Sequence, residues 1–120
     1  MSLPLPNLFT IVLNCEEVKD AARIFRALAD PTRRQILQEL KHGELTAGTI
    51  TGRFALSAPA ISRHLAILKA ADLLSERREA NRIYYRLEPD PLAGALGDFL
   101  SQTCPTQIVL RRRARRARGT

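Results

Sequence analysis

Apolar positions along the chain recur mostly with a helical period, and alternate in one short stretch. Over residues 16–29, Val18, Ala22, Phe25 and Leu28 fall on one stripe of a helix. Asp30 and Pro31 follow. An aspartate caps the free amides of a helix start, and proline in the first turn loses no hydrogen bond. The spacing predicts a second helix over 31–41 with Ile36, Leu37 and Leu40 inward, closed by Gly43 as a left-handed C-cap. Thr46 starts a short third helix over 47–54 with Ile50 and Phe54 on one face, and Leu56 sits in the turn that follows. Ser57 is the N-cap of a fourth helix, with Pro59 in its first turn and Ile61, Leu65 and Leu68 facing inward, Ala71 at the edge.

After Asp72 the period changes. Residues 73–78 and 82–87 read as two strands around the turn "EAN", where Asn81 is expected to take positive φ. A fifth helix over 91–101 carries Leu92, Leu96, Phe99 and Leu100, and Pro105 stops it. The expected fold is mainly α with a small β-hairpin, in the order ααααββα. Two short helices joined by a tight turn and followed by a hairpin make a winged helix-turn-helix. No internal repeat is visible. The expected organisation is an N-terminal arm (1–15), a winged helix-turn-helix domain (16–104) and a basic tail (105–120) with little to fold around.

The fourth helix has an unusual outer face. Pro59, Ser62, Arg63 and Ala66 lie opposite the Ile61–Leu65–Leu68 stripe and are small or polar, with one arginine among them. Small side chains let a helix about 10–12 Å across enter a major groove about 12 Å wide. Arg63 has the reach for a bidentate contact to guanine, and Ser62 can bond a base edge or a phosphate. Ser57 and the helix N-terminus suit a backbone phosphate. Arg77, Arg78, Arg82 and Arg86 cluster on the hairpin, where a wing lies along a neighbouring groove or backbone. The candidate DNA-contacting set is Ser57, Ala58, Pro59, Ala60, Ser62, Arg63, His64, Arg77 and Arg82; His64 reads equally as a phosphate ligand or a half-packed side chain. Arg33 and Arg34 occupy a first turn, where positive charge opposes the helix dipole; carboxylates, phosphate or solvent are the partners this suggests. Of the adjacent Tyr84 and Tyr85, alternation sends one inward.

Charge changes this picture less than its total suggests. The 120 residues carry a net +7, yet the run "RRRARRAR" from Arg111 to Arg118 holds six arginines. Removing those six from the 19 Lys and Arg leaves 13 basic against 12 acidic residues. Nucleic-acid binding therefore rests on where charge is placed, not on the pI. No glycine-rich phosphate loop, nucleophile–base pair or paired carboxylates appear, so the chain does not read as an enzyme and no cofactor is expected. No segment approaches the ~18 apolar residues of a membrane span, and no basic n-region marks a signal peptide, so a cytoplasmic protein is expected.

The strings "FRALADPTRRQILQEL", "GELTAGTITGRFALSAPAISRHLAILKAADLL" and "ERREANRIYYRL" resemble the ArsR/SmtB family of bacterial winged-helix repressors, and within it the SdpR-like, non-metal branch. The resemblance covers Ile24 to about Leu100. It implies a homodimer packed through the first and last helices, which places Val18, Ala22, Phe25, Leu92, Leu96, Phe99 and Leu100 at the interface. It also implies a roughly two-fold, palindromic operator on double-stranded DNA, repression of transcription, and DNA reading by Ala58, Pro59, Ser62 and Arg63 with Arg82 in the wing.

The chain departs from the metal-sensing members. The third helix, "TAGTITGRF", has no cysteine, and the last has Asp98 but no histidine; His42 and His64 lie elsewhere. No metal site is expected, since zinc takes about four such ligands. Cys15 and Cys104 flank the first and last helices, which allows a thiol- or metalloid-responsive switch; two small thiols without a role fit as well. A winged helix used for protein–protein contact is a further alternative. No inducing small molecule is legible.

Overall fold

The structure, a computed structural model, describes residues 15–105 and 114–116. Expectations for the arm, for the side chains of Cys15 and Val18, and for most of the arginine tail lie outside the described residues. The chain divides after Glu88 into two compact units, so the expected 16–104 domain contains parts of both.

The first unit runs α1 (Cys15–Leu28), α2 (Pro31–Glu39), a 3-10 turn (Leu40–His42), β1 (Leu45–Thr46), α3 (Ala47–Gly52), α4 (Ala58–Ala70), β2 (Leu74–Glu79) and β3 (Arg82–Leu87). The three strands form an antiparallel sheet in the order β1-β3-β2. The core is aliphatic: Ile36, Ile50, Ile61, Leu68 and Leu73 are fully buried, with Leu65, Leu40 and Leu74 nearly so. Each such side chain contributes about 1.5–3 kcal/mol by leaving water.

Local chemistry sets the helix ends. Asp30 Oδ1 accepts from the N–H of Thr32 at 2.7 Å and of Arg33 at 3.3 Å, capping α2 as its sequence position suggested. Partial burial pushes the Asp30 carboxyl up, but those two amides and the charges of His64 and Arg33 bring it below its ordinary value. At the end of α4, Asp72 takes φ +61°; its N–H donates to the Lys69 carbonyl and that of Leu73 to the Leu68 carbonyl, both at 3.0 Å. That pairing is a Schellman closure, with both Leu68 and Leu73 buried.

Several expectations are corrected. Cys15 opens α1 rather than preceding it. The inward residues of α1 are Ile24 and Ala27, on the side that packs against α2 and α4; Ala22 is half-buried and Phe25 is 36 % exposed. The helix has two apolar faces, and packing selects the one that periodicity did not favour. The last turn of the second helix tightens to 3-10 geometry, and Gly43 at φ +142°, ψ 178° is stretched rather than left-handed helical. The third helix stops at Gly52, where the N–H of Arg53 turns back to the Ile50 carbonyl at 3.0 Å. Strand β1 was not expected: it pairs Leu45 with Tyr85 and Thr46 with Tyr84. In the hairpin Ala80, not Asn81, has positive φ, +56°. The pair Glu79–Arg82 closes a two-residue turn, and its first position takes positive φ in both of the turn types that match strand twist.

The second unit contains α5 (Pro89–Thr103), which starts two residues earlier than expected. None of its residues is fully buried; Leu92 and Leu96 are half-buried, while Phe99 is 50 % and Leu100 40 % exposed. Residues 114–116 form an exposed helical turn.

Candidate nucleic-acid interface

The α4 face is built as its sequence indicated. Ser57 Oγ accepts from the N–H of Ala60 at 3.3 Å, and Pro59 sits in the first turn. Ile61, Leu65 and Leu68 point into the core and Ala71 is buried beside them. This seats the helix and turns Ala58, Pro59, Ser62, Arg63 and Ala66 outward, all exposed, with Ala60 and His64 half-buried at the flanks. Arg63 Nε lies 3.5 Å from the Pro59 carbonyl of its own helix, and no carboxylate pairs with it among the described residues. A groove of about 400 Å³ is lined by Ala58 and Ser62 of α4, Gly48 and Thr51 of α3, and Ile83 and Tyr85 of β3, among others.

The four wing arginines separate into two kinds. Arg77 Nη2 donates to Glu44 Oε2 at 2.7 Å, Nη1 pairs with Glu79, and the guanidinium lies 4.5 Å above the Tyr84 ring. The Glu44 and Glu79 carboxylates raise the Arg77 pKa further, and Arg77 in turn holds the Glu44 carboxyl below its ordinary value. Arg86 Nη2 bonds Glu88 at 3.0 Å, and Ser75 Oγ donates to the same oxygen at 2.6 Å. The guanidinium groups of Arg78 and Arg82 have no hydrogen bond or ion pair among the described residues. The register places Arg82 beside Arg77 and Tyr84 on one sheet face, and Arg78 beside Ile83 and Tyr85 on the other. The Tyr85 phenol, half-buried, has its pKa raised by that burial.

Arg33 and Arg34 turn their guanidinium groups to backbone carbonyls, and Arg34 stays solvent-exposed, one of the settings its position suggested. Arg33 Nε donates to the Ala27 carbonyl at 2.6 Å and Nη2 to that of Arg26 at 2.9 Å, while Arg34 Nη1 donates to Leu28 at 2.6 Å. They satisfy the last carbonyls of α1, which have no partner within the helix and form the negative end of its dipole. Arg33 Nη1 also lies 3.5 Å from His64 Nδ1. Sequence reasoning missed this contact and the Glu44–Arg77 pair; neither spacing carries a local signal.

A helix-turn-helix domain model matches residues 28–77. The transcriptional repressor SdpR of Bacillus subtilis strain 168 is 45% identical over 78 residues, spanning 65% of this chain and 87% of that protein. The HTH-type transcriptional regulator Rv2034 of Mycobacterium tuberculosis is 42% identical over 77 residues, 64% of this chain and 72% of that one. The chain belongs to the ArsR/SmtB family of winged-helix transcriptional repressors. The fold agrees: the solved structure of an ArsR-like transcriptional regulator from Rhodococcus sp. RHA1 superposes with a TM-score of 0.65 at 27% identity, covering 87% of this chain and 94% of that one. As an ArsR/SmtB protein it is a DNA-binding transcriptional regulator, of a class without enzymatic chemistry. Among the described residues no group of three or more His, Cys, Asp or Glu could hold a metal ion, and no helix is long and apolar enough to cross a membrane. Cys104 is a half-buried free thiol.

Proposed function

We propose that the chain acts in the cytoplasm as a homodimeric repressor that occludes a promoter by gripping a two-fold operator. In each protomer α4 enters the major groove. Arg63 reads a guanine, Ser62 bonds a base edge or phosphate, and Ala58, Pro59 and Ala60 permit close approach. Ser57 and the start of α4 meet a phosphate, with His64 at the flank and Arg82 reaching from the wing. Arg77, held by Glu44 and Glu79, serves chiefly to brace the hairpin. The observation that carries the reading is the exposed, nearly bare face of α4, on which the single arginine has no carboxylate partner among the described residues.

Dimerisation is proposed through α1 and α5. Ala22 and Phe25 of α1, and Leu92, Leu96, Phe99 and Leu100 of α5, keep apolar surface partly exposed; Val18 completes the proposed set. A two-fold dimer would set its reading helices about 34 Å apart, one turn of DNA. Selection of bound duplexes from a random pool tests the whole proposal. The expected outcome is a pseudo-palindrome with half-sites about 10 base pairs apart. An asymmetric site, or no salt-dependent binding to any duplex, overturns it. In sedimentation the wild-type chain runs as a dimer and Leu100→Glu as a monomer.

A further inference from the structure

We infer that Arg33 is a positioning residue for DNA reading, a strut that fixes α4 against the end of α1 through His64. The inference rests on α4 being the element that meets the operator. Arg33 stands in the first turn of α2, where its charge opposes that helix's own dipole. Its side chain instead reaches across to α1. Two of its three guanidinium nitrogens are spoken for there, Nε by the Ala27 carbonyl at 2.6 Å and Nη2 by the Arg26 carbonyl at 2.9 Å.

The guanidinium is planar and rigid, so fixing two nitrogens fixes the third. That third nitrogen, Nη1, points to His64 Nδ1 at 3.5 Å. His64 is half-buried on α4, next in sequence to Arg63. The backbone of Arg33 is itself pinned, because its N–H donates to Asp30 Oδ1 at 3.3 Å. One side chain therefore ties the end of α1, the start of α2 and the flank of the reading helix. α1 is also a proposed dimer helix, so the strut relates each α4 to its counterpart across the operator. Lysine cannot replace it: an ammonium is a point donor without the fork that spans two carbonyls and an imidazole.

The test uses the full chain, the selected operator and a scrambled duplex, each titrated in salt, with thermal unfolding measured alongside. Arg33→Lys and Arg33→Gln are expected to lower the ratio of operator to scrambled affinity about tenfold. Affinity for the scrambled duplex and the salt slope should stay as in the wild type. In a His64→Ala background, Arg33→Lys should remove no further specificity, because the strut already has no far end. Three outcomes overturn the inference. An unchanged ratio in a folded Arg33→Lys chain makes Arg33 only a cap for α1. Parallel losses on both duplexes, with a salt slope shallower by about one, make it a phosphate ligand. Additive losses from Arg33→Lys and His64→Ala make the two residues independent. Where Arg33→Gln does not fold, Arg33→Lys and the His64 cycle carry the test. A wild-type chain that binds no duplex overturns the DNA reading and the strut together, a result unlike any of the other three.

Discussion

The reading face of α4 and the wing are built on opposite principles. On α4 one arginine stands on a small-residue surface, without a carboxylate partner among the described residues. On the hairpin four arginines crowd together, but two of them are taken by glutamates: Arg77 by Glu44 and Glu79, and Arg86 by Glu88. Counting basic residues ranks the wing first. Counting uncommitted ones narrows the gap from four against one to two against one, since only Arg78 and Arg82 remain on the hairpin. An ion-paired guanidinium must surrender its carboxylate before it can neutralise a phosphate, and the exchange returns little. An unpaired one releases a DNA counterion outright.

The sharpest way to break this contrast is Arg63→Ala. Loss of a bidentate base contact costs about 1–3 kcal/mol of operator affinity and relaxes choice at one base pair per half-site. Competition with single-base operator variants measures it. Equal weakening on all sequences would demote Arg63 to a phosphate contact and erase the difference between the two regions.

Next in size are the wing arginines, tested as a pair. Arg82→Ala should weaken operator and scrambled duplex alike and flatten the salt slope by about 0.9 for each phosphate lost. Arg77→Ala should leave the salt slope near the wild-type value. Its cost falls on the fold, through the Glu44 bridge and the stacking on Tyr84, and is read as a lower unfolding midpoint. If the two variants exchange these signatures, the distinction between committed and uncommitted arginines fails.

What was legible in the sequence follows the range of the forces involved. The α4 face, its Ser57 cap and the Ile61–Leu65–Leu68 stripe depend on neighbours within one or two turns, so their spacing shows them. The pairs Arg77–Glu44 and Arg33–His64 join residues 33 and 31 positions apart, and no local pattern announces such contacts. Strand β1 is two residues long and exists because β3 offers it a partner; alternation needs more residues than that to be visible. On α1 periodicity found an apolar stripe but could not divide two apolar faces between the protomer's own core and a second copy. Ile24 and Ala27 took the core.

A smaller effect separates the regions by acidity. The carboxyls of Glu44, Glu76 and Glu88 lie below their ordinary values, chiefly through hydrogen bonds from Arg77, Lys69 and Ser75 respectively. A carboxyl depressed on folding contributes stability that is fully present above its unfolded pKa, about 4.3 for glutamate. That contribution is lost as the pH falls through the lower folded value. The unfolding midpoint should therefore be flat with respect to these groups above about pH 5 and decline below about pH 4.3. Arg77→Ala should make the decline shallower, because Glu44 loses the main cause of its shift. Arg63→Ala should leave it untouched. Identical acid profiles for the two variants would mean that Arg77 is no more committed than Arg63.

The smallest effect lies at the tip of the wing. Ala80 holds φ at +56°, where a Cβ crowds the following carbonyl and costs an L-residue roughly 1–2 kcal/mol. Glycine removes that strain but adds freedom to the unfolded chain, so Ala80→Gly should stabilise the protein by no more than about 1 kcal/mol. Denaturant titration with the slope held common resolves a change of that size. The same substitution slackens the turn that presents Arg82. If α4 dominates recognition, operator affinity should move by less than about 0.5 kcal/mol, as for a surface change remote from the main contact. A larger loss of affinity in this more stable chain would show that the wing reads DNA through a rigid tip. Arg82 would then stand beside Arg63 as a second anchor rather than a general grip on the backbone.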